Sequence, residues 1–278
     1  MSDGDSCRLK YFEGEPEVLA EVRQMWDEIF DDPEEFADYY FTEICKQNKI
    51  LLAYKGDVLA GMIHLNPYEM QVEGKKELCY YIVGVAVKPE YREQGIMHKM
   101  MQRVLADMKK DGRAFAFLMP EREEYYESLG FEKVFHTLEL DIDIAELEDE
   151  NVVPDDLSGE EGYYTKNLKD LHEERADILE HLSGEVNEAL AKKYRIYAHR
   201  TPQYLEQMCM EHRCQNGDVV AVYEDGMHMD DGQVEERLAG MFSYDIYDDT
   251  MYVERFESFD DHVRYVLCLL YTSPSPRD

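Results

Sequence analysis

In the stretch "VGVAVKPEYREQGIMHKM", Arg92 and Gly95 sit between an extended apolar run, ended by Pro89, and a segment of helical periodicity. That arrangement suits a phosphate. A helix N-terminus carries unpaired backbone N–H groups and the positive end of the helix dipole, so it binds anions without a strong net positive charge. Glycine at its mouth lets the main chain approach the oxygens, where a side chain would push them away. Arg92, His98, Lys99 and Arg103 add positive potential, against Glu90 and Glu93. Upstream, the run ending at Val87 offers main-chain groups that an extended amide-bearing ligand can pair with as an added strand. Downstream, "EREEYYESLG" holds Tyr126 four residues before Gly130. Tyr125 stands beside it, and each phenol is a weak acid. Glu77, His64 and Glu124 are available as bases, none of them placed by sequence alone. His64 lies in an alternating strand, where a packed or surface histidine is the commoner reading.

The elements that must position these groups are legible in the first half. Residues 7–12 form a strand. Pro16 opens a segment whose apolar positions Val18, Leu19, Val22, Trp26 and Phe30 recur at helical spacing. A second helix follows Asp31-Asp32, with Pro33 in its first turn and Phe36, Tyr39, Tyr40 and Ile44 inward. Three strand-like runs come next, punctuated by Gly56-Asp57 and Gly74-Lys75, the turn chemistry of an antiparallel meander. Tyr80 and Tyr81 then point to opposite sheet faces. After the glycine-led helix, whose Met97, Met100, Met101 and Met108 read as packing, "RAFAFLMP" is a buried strand. "EREEYYESLG" is a short helix and "FEKVFHTLELDI" a further strand. This order implies an α+β fold, a mixed sheet covered by helices.

Residues 147–162 turn acidic and turn-rich, which reads as a linker between a first domain, 1–146, and a second, 163–267. In the second, helices are expected over about 168–182 and 186–199 and from Pro202, followed by strands. Leu59-Ala60-Gly61-Met62 and Leu238-Ala239-Gly240-Met241 each follow a strand and a turn. The shared order around them suggests a diverged, incomplete second copy without a counterpart of the Arg92–Gly95 loop. The tail "CLLYTSPSPRD", residues 268–278, resembles a sequencing adaptor read in frame, so the natural C-terminus is expected to be missing.

Composition narrows the function. With 62 acidic residues against 29 basic ones, the formal net charge is -33. Such a chain repels nucleic acid and anionic membranes and draws in cationic small molecules. No apolar run approaches the roughly 20 residues that span a bilayer, and the N-terminus lacks signal-peptide character, so a cytoplasmic protein is expected. Its six cysteines form no CxxC and read as reduced thiols. Cys209, His212 and Cys214 fit no zinc spacing, and no metal is expected. The sequence allows a homo-oligomer without specifying one.

The combination "V-x-V-x-P-x-x-R-x-x-G-I-M" with the later "Y-E-S-L-G-F" resembles the GNAT superfamily of N-acetyltransferases, whose acyl-CoA pyrophosphate loop is an [RQ]-x-x-G-x-[GA] turn. Arg92 and Gly95 match it, and Met97 departs from its small last residue. The tandem halves look like the bacterial enhanced-intracellular-survival (Eis-like) type, whose members acetylate amines and end in a third, sterol-carrier-like domain. That resemblance implies a GNAT fold, acetyl-CoA as acyl donor and a cationic primary amine, of a small molecule or a lysine, as acceptor. It implies pantetheine pairing with the main chain of Val85, Ala86 and Val87. The pyrophosphate would be enclosed by Arg92, Glu93, Gln94, Gly95, Ile96, Met97 and His98, with Glu121 and Arg122 flanking the cofactor. Tyr126 would be the general acid. The alternative is a non-catalytic acyl-CoA sensor or interaction module on the same scaffold.

Overall fold

Two-residue turns fold the centre of the first half back on itself. The computed structural model describes residues 7–134, 140–143, 163–170, 175–224, 237–248 and 250–259. Its first unit comprises Met1–Val134 with Arg195–His199, and its second Phe135–Tyr194 with Arg200–Asp278. The expected linker, 147–162, and the tail, 268–278, lie outside the described residues.

In the first unit the order is β1 (Cys7–Tyr11), α1 (Pro16–Ile29), α2 (Glu34–Tyr39), β2 (Lys49–Lys55), β3 (Val58–Val72), β4 (Lys75–Val87), α3 (Ile96–Lys110), β5 (Ala116–Phe117) and α4 (Glu124–Glu127). The sheet runs β1-β2-β3-β4-β5, antiparallel except for the parallel β4–β5 pair. The mixed sheet read from the sequence is therefore present. The β3–β4 turn is Glu73-Gly74, one residue earlier than expected, because both residues take the left-handed φ a tight hairpin needs, 51° and 76°. One sheet face packs on α1 and α2 through Val22, Met25, Trp26, Tyr40, Phe41, Ile50, Leu52 and Met62. The other packs on α3 through Leu51, Ile63, Ile82, Ile96, Met100, Met101, Val104 and Met108. Tyr80 falls in the α3-side core, while Tyr81 lies on the other face, stacked on Phe117. The methionines of α3 are core residues, as their spacing indicated.

Ile196–Ala198, read from the sequence as the end of a helix, is instead a strand, β8. It pairs antiparallel with Met70, Gln71 and Val72 of β3. Its flanks are tied by Glu73 N to Arg195 O, 2.8 Å, and His199 N to Glu69 O, 2.8 Å.

The second unit holds a five-stranded antiparallel sheet in the order β6-β11-β10-β9-β7. Its strands are β6 (Leu140–Asp143), β7 (Tyr163–Asn167), β9 (Asp218–Glu224), β10 (Arg237–Tyr247) and β11 (Thr250–Ser258). The strand expected over 131–142 is thus represented by β6, which pairs with β11 of this unit. Of the two helices expected before Pro202, one forms: α5 (Arg175–Lys193). Buried Leu179, Leu182, Val186 and Leu190 make one stripe at helical spacing past an exposed Gly184, so core burial carries the helix through the glycine. The last helix among the described residues, α6 (Pro202–Arg213), is capped as expected for Pro at its start, Thr201 Oγ1 accepting from Tyr204 N at 3.0 Å.

The tetrapeptide match has a structural counterpart. In β3, Leu59 faces Tyr54 and Gly61 faces Ala53, leaving Ala60 as the extra residue of a bulge. In β10, Leu238 faces Tyr223 and Gly240 faces Val222, leaving Ala239 extra. A second shift also recurs. Between Met62 and His64 one residue, Ile63, opposes two of β4, Gly84 and Val85; between Met241 and Ser243, Phe242 opposes Arg255 and Phe256 of β11. Bulges re-aim the strand that carries them.

Candidate active site

The bulge in β4 is where the site begins. Gly84 has φ 58°, and a Cβ there would stand 2.5 Å from Trp26 Cζ3 and 3.2 Å from His64 Cδ2. A glycine inside a strand is the sequence signal for such a bulge, and it was not used above. Gly84→Ala is expected to destabilise the protein by roughly 2–5 kcal/mol, adding left-handed strain to overpacking. Chemical unfolding checks this; an unchanged midpoint would show the bulge to be soft.

The pairing of β4 with β5 ends at Tyr81, before the bulge. Their ladder has two registers, Tyr80 with Ala116 and Tyr81 with Phe117. This is why "RAFAFLMP" yields a two-residue, half-buried strand rather than a fully buried one. Lys88 N donates to Ala60 O of β3 at 2.9 Å, and Ala86 faces Met62. By strand alternation, the main-chain groups of Val85 and Val87 point the other way, to the edge where β5 has diverged. Arg92 Nε confirms the direction, donating to Val87 O at 3.1 Å and bracing the turn against the strand.

That turn delivers the helix. Pro89–Tyr91 is a single 3₁₀ turn, Glu93 takes φ 61°, and Gly95, the N-cap of α3, takes φ 72°. No side chain caps this end of α3. A Cβ at Gly95 would meet no atom within 4 Å, so backbone conformation rather than crowding by the chain selects glycine. Gln94 Nε2 donates to Glu90 O at 3.3 Å, and His98 Nε2 lies 3.0 Å from Gln102 Nε2. Ile96 is buried, and Met97 packs against the α3-side core, so the methionine that departs from the motif is taken up by packing. Two of the cations counted toward the anion site are directed elsewhere. Lys99 Nζ donates to Cys7 O at 3.1 Å, and Arg103 Nε to Asp107 Oδ2 at 2.6 Å. Both lie one to two turns into the helix, where their length carries them to β1 and along the helix rather than to its mouth.

The tyrosines of α4 are separated by their partners. Tyr125 is 52% exposed, and its hydroxyl accepts from Arg122 Nη1 at 3.0 Å. Arg122, assigned above to the cofactor, is here placed against that ring. Tyr126 is half-buried, edge-on to Phe131 with centroids 5.9 Å apart. It packs on the same core cluster as Val85, Val87, Met97 and Leu118. Burial, and then the charge of exposed Glu121, raise its pKa above the usual phenol value, so it remains a proton donor at any ordinary pH. Of the base candidates, Glu77 is eight residues upstream of Val85, about 26 Å along an extended strand, and Glu124 is exposed. His64 is completely buried.

Burial lowers the His64 pKa from 6.5 to about 3. The unfolded chain therefore binds a proton that the folded one refuses between those values. Stability from this site is complete above about pH 6.5 and is lost as pH falls toward 3, at about 1.4 kcal/mol per pH unit. Acid titration of unfolding should show this slope in wild type and lose it in His64→Gln; equal slopes would refute it.

Among the described residues no group of three or more His, Cys, Asp and Glu side chains is arranged to hold a metal, no cysteine is paired, and no helix is long and apolar enough to cross a membrane.

Residues 13–134 match the family model of the acetyltransferase (GNAT) domain. No curated protein matches the sequence. Among solved structures, the chain is similar to a conserved protein of unknown function, a probable N-acyltransferase, from Enterococcus faecalis V583: TM-score 0.62, 17% identity, covering 94% of this chain and 60% of that one. GCN5-related N-acetyltransferases from Kribbella flavida (TM-score 0.59, 15% identity, 100% of this chain and 67% of that one) and Anabaena variabilis ATCC 29413 (0.60, 15%, 91% and 60%) are similar as well. The chain thus spans about three fifths of the Enterococcus and Anabaena proteins. The matched residues, 13–134, fall within the first unit.

Proposed function

We propose that this protein transfers an acetyl group from acetyl-CoA to a primary amine of a cationic small molecule or a lysine-type acceptor. The observation that carries the reading is the parting of β4 from β5 beside an uncapped helix start. The outward main chain of Val85 and Val87, the Gly95 turn and Tyr126 border one apolar cluster. In this reading the pantetheine adds a strand along Val85, Ala86 and Val87. The turn formed by Arg92, Glu93, Gln94, Gly95, Ile96, Met97 and His98 encloses the pyrophosphate, with Glu121 and Arg122 at the margin.

The chemistry follows from those places. A neutral amine nitrogen attacks the thioester carbonyl and forms the tetrahedral intermediate. As it collapses, the C–S bond breaks and the departing thiolate takes a proton from the Tyr126 hydroxyl, while the proton that nitrogen loses passes to solvent water, from which the phenol is reprotonated. The net charge of -33 favours cationic acceptors by raising their local concentration.

We also read the second unit as an incomplete repeat of the first, of the tandem, Eis-like kind. Its support is the pair of recurring bulges at the recurring tetrapeptide. Catalysis is assigned to the first unit, which alone carries the Arg92–Gly95 turn.

Two measurements test the proposal. Millimolar acetyl-CoA should raise the unfolding midpoint, since binding to the folded state stabilises by mass action; the absence of any shift counts against it. Thiol release from acetyl-CoA should then accompany at least one amine in a panel of polyamines, aminoglycosides and lysine peptides. A shift without release across that panel selects the sensor reading instead.

A further inference from the structure

Glu77 lies too far from the acyl donor to act as a base, and acyl transfer leaves it without a task. It stands at the end of a row on β4. Tyr81, Cys79 and Glu77 alternate onto one sheet face, and across the ladder Tyr68 opposes Cys79 and Met70 opposes Glu77. Tyr81 and Phe117 are stacked with centroids 5.3 Å apart, and Tyr68 stands edge-on to both, at 5.9 and 5.4 Å. All three rings are half-buried, so each keeps surface toward solvent. Glu77 is half-buried as well. Of its two lysine neighbours, Lys76 points to the opposite face and pairs with Glu69, Nζ to Oε1 2.7 Å. Lys75 shares the face but is exposed, and Glu77 forms no ion pair among the described residues.

This row lies on the face away from α3, and acyl transfer makes that the face an amine must use. Tyr126, assigned to protonate the sulfur, packs with the α3-side core, as do Val85 and Val87. At the tetrahedral carbon, sulfur and attacking nitrogen occupy different corners, so a sulfur on the α3 side leaves the other side to the amine. The Gly95 turn holds the donor's diphosphate beyond Val87, so the acyl end points back along β4 toward the bulge and Tyr81. From Tyr81 to Glu77 the strand covers about 13 Å. An acceptor that follows the row lays its chain over the rings and brings its far end to the carboxylate. Rings and carboxylate both favour a cation there.

We infer that the acceptor is a linear polyamine, its reacting nitrogen at the Gly84 bulge, its methylenes across Tyr81, Phe117 and Tyr68, and a distal ammonium at Glu77. This rests on reading the first unit as an acetyltransferase and narrows the acceptors that reading allows. The near nitrogen loses its proton before attack, while the far one keeps its proton and its charge throughout. A diamine of a few carbons is too short to span the row.

The test compares kcat/KM, at saturating acetyl-CoA, for α,ω-diaminododecane and ω-aminododecanol, which differ only in the distal ammonium. Wild type should favour the diamine roughly three- to tenfold, the worth of an ion pair and a cation–π contact at half-exposed positions. Glu77→Lys should reverse the order: the diamine falls below the amino alcohol, and ω-aminododecanoate, with a distal carboxylate, rises above both. A merely structural part for Glu77 lowers all three together and reverses nothing. Should the variant fail to fold, salt decides on wild type, where the preference for the diamine should shrink toward unity as sodium chloride is raised. Equal kcat/KM in wild type, a salt-independent preference, or an order that survives Glu77→Lys overturns the inference, while the turnover itself upholds the transferase reading. Absence of thiol release with every amine removes both.

Discussion

Tyr126→Phe is expected to lower kcat by about 10²- to 10⁴-fold, the range a positioned general acid supplies. Acetyl-CoA binding should be unchanged within about twofold. The two halves of that expectation have different physical origins. The ring packs on the α3-side core and edge-on to Phe131, so phenylalanine keeps the packing and the cofactor edge. Only the hydroxyl is lost. The thiolate must then leave unprotonated or take a proton from water, and that cost falls on the transition state rather than on binding. Because burial raises the Tyr126 pKa, kcat should not decline on the alkaline side below about pH 10. An acid-form pKa near 7 in the kcat profile, or turnover within threefold of wild type in the phenylalanine variant, would remove Tyr126 from the role. Tyr125→Phe is the control. Its hydroxyl is bound to Arg122 at an exposed position, so turnover should change little.

Gly95→Asn and Gly95→Val should both abolish the stabilisation by acetyl-CoA, for reasons that separate. Gly95 stands at φ 72°, a conformation asparagine tolerates and a β-branched residue does not. Valine should therefore also cost roughly 2 kcal/mol of stability in the absence of cofactor, and asparagine about half of that or less. Neither side chain clashes with the chain, since a Cβ there meets no atom within 4 Å. Loss of binding in the asparagine variant, at near-normal stability, isolates the requirement for close main-chain approach to the diphosphate. If Gly95→Asn binds acetyl-CoA as wild type does, the glycine serves only the turn, and the anion site lies elsewhere.

Much of this site can be read from residue order because its parts are local. Proline, arginine and glycine at fixed spacing between a strand and a helix specify a turn and a helix start. Each acts through its own backbone preferences, and the structure has Pro89 in the 3₁₀ turn and Gly95 as N-cap. The positive residues were harder. Lys99 and Arg103 look like neighbours of the turn in sequence, yet their side chains reach Cys7 O and Asp107. Helical periodicity likewise gave the inward faces of α1 and α3. It failed at residues 168–199, where two helices were expected and a continuous buried stripe carries one helix past Gly184.

The sequence by itself determined the mixed sheet with its helices, the glycine-led start of α3 and the place of Tyr126 before Gly130, because these rest on spacing within a few residues. Only the tertiary structure decided that β4 pairs with β5 no further than Tyr81 and bulges against β3 at Gly84, that His64 shares a buried polar network with Tyr40, Asn48 and Asn66, and that Ile196–Ala198 joins the sheet of the first unit. Those features depend on which distant residues meet. A strand edge is left open, or an imidazole enclosed, by the partners that do or do not arrive from elsewhere in the chain, and no local preference encodes their arrival.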